Sequence, residues 1–520
     1  MFTESTLIKN RYFDSVFLMR VAKRLSGEPG VHEAAVFMGT PKNLQVLADA
    51  GYTGIDTLGA SANDLVVSLK TATAEQARDI FGSMDGWLQR ERASAGPATV
   101  RTLDQALQRQ PQSNLAVISV PGEYAPNEAR RALESGLNVL LFSDNVSIDD
   151  ELALKRVAQK RGLLLMGPDC GTSIIGGAGL GFANAVRRGP VGVIGASGTG
   201  IQEVTSLVHR WGSGISHAIG IGGRDLSDAI GGISALQAMD ALEADPETSV
   251  ILLISKPPGA KTLPRIDERI AACSKPVVTC YLGVSYGSIS GAGAATATSN
   301  LDASARAAFR LAGVNPPGDG TPGGELVDGE LVGKERASLN GGQQFLRGIF
   351  AGGTLCYQAQ QVLRDAGIPV HSNEPLDGAT KLSAHQPSTG HTLIDMGADE
   401  FTQGRAHPMV DSTLRVTRIL EEAKDARVGV LLLDVILGYG AAEDPAGDLA
   451  EAIRQAKALE ARAGAHLTVV ASICGTSGDP QGLEAQTRVL EDAGAIVFDT
   501  GYRAARFAAA LVSALVSDRS

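Results

Sequence analysis

Residues 190–204, PVGVIGASGTGIQEV, decide how this chain folds. Branched residues separated by small ones read as a buried strand, GASGTG as a tight turn, and IQEV as the opening of a helix. A strand that turns straight into a helix leaves several backbone N–H groups without intrahelical acceptors, and the aligned peptide dipoles place partial positive charge there. The turn at Ser197, Gly198, Thr199 and Gly200 is therefore a candidate seat for a phosphate, a phosphoryl group or a carboxylate. The competing reading is a strand–helix turn whose glycines serve close packing alone, and these residues by themselves do not separate the two.

The bulk of the chain fits that opening. Its 520 residues exceed what one core holds, because domains run to about 100–200 residues, so three or four are expected. Hydrophobic residues make up 44% and aromatic ones only 4%, and 62 glycines suit α/β domains with many strand–helix turns better than a β-sandwich. A net charge of -11 without any block of Lys or Arg argues against nucleic acid and membrane surfaces, leaving small molecules and proteins as partners. The five cysteines, Cys170, Cys273, Cys280, Cys356 and Cys474, are scattered and form no C-x-x-C pair, so neither a disulfide framework nor a metal site is expected. The opening MFTESTLIKNRYFDS has no apolar leader, and the longest apolar run, FAAALVSALV, is half of the roughly 20 residues a membrane span needs. A soluble, cytoplasmic protein is expected.

Working outward from Pro190, alternating strand and helix patterns divide the chain. Residues 1–95 read as a small N-terminal α/β domain, a sandwich for which a ferredoxin-like arrangement is one candidate. Residues 98–189 alternate helix and strand and predict parallel βαβ units, 190–314 form a third unit, and 341–520 a fourth. The stretch 315–340, rich in Pro, Gly and acid, reads as a linker.

The third and fourth units look like copies of one another. GASGTGIQE matches AGGTLCYQA, HAIGIGGRD matches HTLIDMGAD, DPETSVILLIS matches DARVGVLLLDV and VVTCYLG matches VVASICG, all in the same order. Duplicated flavodoxin-like units predict a site between them, assembled from two facing helix N-termini.

On these residues the chain from Val100 to Val314 resembles the α subunit of succinyl-CoA synthetase, and the fourth unit resembles the C-terminal domain of its β subunit. The markers are GPDC at 167–170 for that family's GPNC, SGT at 197–199 for its SRSGT, GIGG at 220–223, and DPET before a strand. RGIFAGGTLC, DEFTQGRAHPM and LDVILGYGA make the resemblance closest to the FdrA family, whose members look like the two subunits fused. The implied fold is α/β: a Rossmann-like domain of CoA-binding type, two duplicated flavodoxin-like domains of succinyl-CoA-synthetase type, and the small N-terminal domain.

In the synthetases two helices aim their N-termini at a phosphohistidine. The resemblance places one such end here at Ser197, Gly198 and Thr199, and the other at Gly438, Tyr439 and Gly440. Three departures follow. The family's GHAGA is SGAGA, with Gly291 in place of the histidine; its GEIGG is SKPPG, with Ser255 and Lys256 in place of the acid; and the glycine-rich CoA loop has no clear counterpart. Nor does the run from linker to fourth unit leave room for an ATP-grasp domain of about 200 residues. What remains suits a substrate that arrives already activated as a mixed phosphate anhydride. The FdrA resemblance implies a subunit of an oxamate carbamoyltransferase in purine and allantoin breakdown, interconverting oxalurate plus phosphate with oxamate plus carbamoyl phosphate, with no CoA or other cofactor. The alternative is an NDP-forming acyl-CoA synthetase-like ligase or binding subunit working with a separate ATP-grasp chain. Both imply partner subunits and an oligomer.

Lys256 is the candidate that stabilises the departing phosphate. Arg405 and His407, on a loop after the strand TLIDMG, suit a substrate carboxylate and a proton transfer, against the reading of a surface loop pinned by ion pairs. Arg224 is a substrate-binding candidate set against a loop salt bridge, and Asp169 and Asn184 are candidates set against turn capping. Cys474 reads as a core residue, and His217 and His391, opening matched strands, as structural ones.

Overall fold

Strands β1 (Phe2–Ile8), β2 (Val31–Met38) and β3 (Leu65–Thr71) form an antiparallel sheet in the order β1-β3-β2. The central strand obeys period two: Leu65, Val67 and Leu69 join one apolar cluster with Val21 and Leu25, while Val66 joins another with Leu47 and Tyr52. Thr40 and Thr73 cap the helices that follow β2 and β3, each accepting a backbone N–H three residues on. The computed structural model describes residues 2–11, 13, 15–54, 59–92, 100, 102–283, 295–313, 328–383, 386–402, 405–462 and 464–517. They divide into two units, one of residues 1–113 with 399–406, the other of 114–398 with 407–520.

The second unit holds three sheets. Short strands β4 (Leu115–Ile118), β5 (Asn138–Leu141) and β6 (Leu165–Met166) pair in parallel. Seven strands follow: β7 (Thr172–Ile175), β8 (Ala178–Gly181), β9 (Arg188–Gly195), β10 (Ile215–Gly220), β11 (Val250–Ser255), β12 (Val277–Tyr281) and β13 (Ala295–Thr298). Their order is β13-β12-β11-β9-β10-β7-β8. A further seven are β14 (Phe345–Phe350), β15 (Val370–Ser372), β16 (Thr380–Lys381), β17 (His391–Asp395), β18 (Val428–Ile436), β19 (Thr468–Cys474) and β20 (Ala495–Phe498), ordered β16-β15-β17-β14-β18-β19-β20. Read from opposite ends, β10-β9-β11-β12-β13 matches β17-β14-β18-β19-β20, with β9 and β14 at equivalent centres, each running into a helix: Gly198–Arg210 after β9 and Gly353–Asp365 after β14. One continuous core joins the copies, running from Val193, Ile201 and Val204 to Leu355, Leu432 and Phe507.

Two boundaries differ from the sequence reading. The sheet that holds Pro190 begins at Thr172 rather than at 190, because TSII and AGLG form a hairpin whose inner strand β7 pairs antiparallel with β10. Gly176 and Gly177, both at positive φ, make its turn, a two-glycine signal that a βαβ reading overrides. The linker range contains a helix, Gly329–Ser338, whose first N–H groups donate to the Asp328 carboxylate. Residues 314–327, and the segment 284–294 that carries Gly291, lie outside the described residues.

Candidate functional site

The Gly198 turn is built by close packing and left open on one side. The Ile201 side chain lies where a Cβ on Gly195 would stand, which pulls the first helical turn onto the strand. Ser197 caps the helix, its hydroxyl accepting the Gly200 N–H at 3.1 Å. The backbone N–H groups of Gly198 and Thr199 have no acceptor among the described residues. Gly198 borders a small cleft lined also by Asp169, Thr172, Ser197, Gly220 and Gly222. A Cβ on Gly198 would lie 3.0 Å from the Thr172 Oγ1, so the glycine keeps the cleft clear.

The Gly353 helix, its duplicate, meets this turn head-on. The hydroxyls of Ser197 and Thr354 are hydrogen-bonded to each other, and the Thr199 methyl lies 3.1 Å from where a Cβ on Gly352 would be. Yet the two helix ends differ electrically. Asp434 accepts the N–H groups of Ala351 at 2.8 Å and Gly352 at 2.7 Å, and the buried Arg415 guanidinium donates to its Oδ1 at 2.9 Å. Asp395 lies against Gly353, its Oδ1 accepting the Gly397 N–H at 2.8 Å. Sheet register shows the divergence: Gly195 pairs with Gly220 in the first copy, but Phe350 pairs with Asp395 in the second. Likewise the Ala196 N–H is taken by the main-chain oxygen of Ile254, whereas that of Ala351 is taken by an Asp434 side chain. One N-terminus is open to an anion; the other carries its own.

Burial pushes the Asp395 carboxyl up to about 7, with Asp434 and Glu374 adding to the rise while the Gly397 N–H and the Lys256 charge oppose it. Asp434 is also raised by burial, against the pull of Arg415 and its two backbone donors.

Among the residues singled out in the sequence, Lys256 is exposed at the end of β11, its ammonium 4.9 Å from the ring centre of Tyr357 on the Gly353 helix. His407 reaches the same helix end: a Cβ on Gly397 would lie 2.8 Å from its Nε2 and 3.2 Å from Asp395 Oδ1, and its ring stands 6.1 Å from that of Phe182. Its Nδ1 accepts the Met409 N–H at 3.2 Å, and burial lowers it to about 4. The imidazole is thus neutral at physiological pH with its proton on Nε2, where it can donate a hydrogen bond. Arg405 is exposed and belongs to the unit that holds the N-terminal residues.

Gly438, Tyr439 and Gly440 do not sit at a helix N-terminus. Strand β18 runs on to Ile436 and the next helix starts only at Pro445, where Asp444 and Gln486 take the Gly447 and Ala446 N–H groups. Their loop is pinned instead, with the Tyr439 N–H donating to Ala183 and Gln481 bonded to Gly438 on both sides. Asn184 is a tie between copies, its amide donating to the Leu437 oxygen at 2.9 Å and to Asp479 at 2.8 Å. Arg224 donates to Glu151 at 2.9 Å and to the Val146 oxygen at 2.8 Å, the loop salt bridge set against its substrate role. Asp169, at positive φ, lines the open cleft. Cys474 is buried with its thiol pushed well up, and His217 and His391 accept backbone N–H groups of Gly176 and Leu346. Asp395, Asp434 and Arg415 escaped the sequence reading. The available signal was an acid inside each of two otherwise apolar strands, TLID and LLLDV.

Family models match three stretches of the chain: "CoA binding domain" over residues 186–282, "CoA-ligase" over 349–511, and "AllF, heavy metal-associated domain" over 1–105. The uncharacterized protein YahF of Escherichia coli (strain K12) is 42% identical over 490 residues, covering 94% of each chain. The chain belongs to the YahF family. It is an FdrA-like protein whose α/β domains are of succinyl-CoA-synthetase type. The succinate–CoA ligase [ADP-forming] subunit alpha 2 of Archaeoglobus fulgidus is 28% identical over 221 residues, 39% of this chain and 74% of that one. A solved dinucleotide-forming acetyl-coenzyme A synthetase 1 of Ca. Korarchaeum cryptofilum, in complex with phosphate and ADP, aligns over 78% of this chain and 83% of its own at 17% identity and a TM-score of 0.29.

The heavy-metal model does not fit its stretch as a metal site. Residues 1–105 contain no cysteine and a single histidine, His32, and no cluster of three or more ligating side chains occurs among the described residues. Among the described residues no helix is long and apolar enough to cross a membrane.

Proposed function

We propose that members of the YahF family such as this one use a CoA-ligase scaffold for phosphate-dependent carbamoyl transfer, interconverting oxalurate plus phosphate with oxamate plus carbamoyl phosphate. The observation that carries this reading is the asymmetry of the two duplicated helix ends. Asp434 and Asp395 fill the Gly353 end, whereas the Gly198 N–H, without an acceptor among the described residues, lies beside a cleft kept clear by Gly198. Phosphate takes the Gly198 seat, where the helix dipole and backbone donors favour it. Lys256 stabilises the charge that develops on the phosphate oxygen as the carbamoyl group moves, and His407 supplies a neutral N–H donor to the substrate's polar atoms. A second helix end already occupied by carboxylates suits a neutral carbamoyl group better than a second phosphoryl group. The replacement of the family's phosphorylated histidine by Gly291 supports the same reading. The reaction takes substrate phosphate and no CoA, nucleotide or metal, and the chain works with partner subunits.

A second reading, a subunit of an acid–CoA ligase paired with a separate ATP-grasp chain, is favoured by the CoA-binding and CoA-ligase matches and by relatives named as ligase subunits. One experiment separates the two. The chain, alone and with candidate partner subunits, is given oxalurate and phosphate, or an acid, CoA and ATP; carbamoyl phosphate supports the first reading and a CoA thioester the second.

A further inference from the structure

The cleft beside the Gly198 turn is lined by groups of opposite polarity. The Gly198 N–H, at the positive end of its helix, has no acceptor among the described residues. Asp169 is the one lining residue with a charged side chain. The Cys170 thiol next to it is pushed up to about 11, by burial first and with the Asp169 charge adding to the rise, so it stays neutral. The hydroxyls of the lining are engaged within the protein. Thr172 Oγ1 donates to the Phe182 oxygen at 2.7 Å, and Ser197 Oγ, which accepts the Gly200 N–H, is bonded to the Thr354 hydroxyl.

The backbone fixes Asp169 at the cleft. It follows β6, at the carboxyl end of a parallel strand pair, where α/β folds place ligands. Its N–H donates to the Ser143 oxygen at 3.0 Å and its φ is 54°. The preceding residue is packed so closely on the far side of the cleft that a Cβ on Gly222 would lie 2.4 Å from the Pro168 oxygen. Asparagine suits a left-handed backbone as well as aspartate does, so the turn by itself does not call for a carboxylate. A carboxylate lining the same cleft as an anion seat repels a bare phosphate. It attracts a ligand that carries N–H donors next to its phosphate.

Resting on the carbamoyl-transfer reading, we propose that Asp169 is the specificity-determining residue of the cleft: its carboxylate accepts N–H bonds from the carbamoyl –NH₂ group while the Gly198 N–H donates to the phosphate. The ligand class this selects is an acyl phosphate whose acyl carbon bears an amino group and, in the opposite direction, a ureido acid with the same –NH₂ end. An acyl phosphate that ends in a methyl group is disfavoured, because it covers the carboxylate without offering it a donor. The same charge turns the carboxylate end of oxalurate away from the phosphate seat.

Asp169→Gly removes the carboxylate and suits the left-handed backbone, so its melting temperature should not fall. In the chain assembled with its partner subunits, kcat/KM for carbamoyl phosphate with oxamate is expected to drop about 10- to 10²-fold. Calorimetric affinities for acetyl phosphate and inorganic phosphate, which have no N–H to offer, should hold or tighten, because a negative charge has left the cleft. A fault in folding would instead weaken all three ligands together. Where Asp169→Gly is not recovered folded, Asp169→Asn decides by the same measurements: it keeps an acceptor oxygen without the charge, and a severalfold loss for carbamoyl phosphate alone is expected. A variant that keeps more than a third of the wild-type kcat/KM for carbamoyl phosphate, or that weakens all three ligands alike, overturns the role of Asp169. A wild-type assembly that forms no oxalurate from carbamoyl phosphate and oxamate overturns the carbamoyl-transfer reading and this role with it, whereas an active assembly indifferent to the substitution overturns the role only.

Discussion

Alanine at position 198 separates the chemistry of the Gly198 turn from its folding. Gly198 is not among the glycines at positive φ, so alanine can adopt the native backbone. Replacing glycine where the conformation allows it gains about 0.4–1 kcal/mol by restricting the unfolded chain. The new methyl would stand 3.0 Å from Thr172 Oγ1, which must give by a few tenths of an ångström and offsets that gain. The melting temperature should therefore move by no more than a few degrees. The anion fares differently. A backbone N–H holds a phosphate oxygen at about 2.9 Å, whereas a methyl carbon tolerates one no closer than about 3.5 Å, so the phosphate is displaced by roughly half an ångström or more. Misplacement on the order of 1 Å costs about 10² in rate, or about 2.7 kcal/mol of barrier. Initial rates of carbamoyl phosphate formation at varied phosphate should show kcat/KM for phosphate falling about 10²-fold, with KM for oxalurate little changed. A folded Gly198→Ala protein with wild-type kcat/KM for phosphate would refute the anion seat. Gly353→Ala is the contrasting control: its Cβ would run into the Asp395 carboxylate, so this variant should lose about 1–3 kcal/mol of stability.

Lys256→Met should cut transfer about a hundredfold without lowering the melting temperature; more than a third of the wild-type rate would make Lys256 a surface residue only. Arg415→Met leaves Asp434 buried without its cation and should cost about 3–5 kcal/mol in urea unfolding; a loss below about 1 kcal/mol would show that the backbone donors alone hold Asp434. Glu203, buried on the Gly198 helix and accepting the Gly501 N–H, is pushed up to about 7 by burial, so the folded state binds its proton more tightly than the unfolded chain does. Its contribution is present below the ordinary glutamate range and lost as pH rises towards 7; Glu203→Gln should flatten that decline in denaturant titrations at acidic and alkaline pH, and an unchanged slope would refute the assignment.

The duplication was legible because strand–turn–helix chemistry is local. A glycine that admits Ile201 and a serine that caps its own helix are set within seven residues, and GASGTG and AGGTLC carry the pattern openly. The second helix end was misplaced at Gly438–Gly440 because a glycine-rich run after a strand looks the same whether a helix follows at once or, as here, several residues later. Strands β7 and β8 escaped because four-residue strands have too few positions to show a period. Asp395 and Asp434 were hidden for a different reason. Their meaning lies in register, one opposite Phe350 and the other below Ala351, and pairing between distant strands is not written in either strand alone. Asn184 and Arg224 show the reverse: polar residues at strand and helix ends that read as ligands are spent on holding segments together, as Asn184 holds Leu437 and Asp479.

The most direct test of carbamoyl transfer on this scaffold is to supply the chain and its partner subunits with ¹³C-labelled oxalurate and inorganic phosphate and follow the carbamoyl carbon by NMR. Carbamoyl phosphate appearing with oxamate in equal amounts, without CoA or ATP, is the predicted result. No carbamoyl phosphate, together with a CoA thioester formed from acid, CoA and ATP, would contradict it.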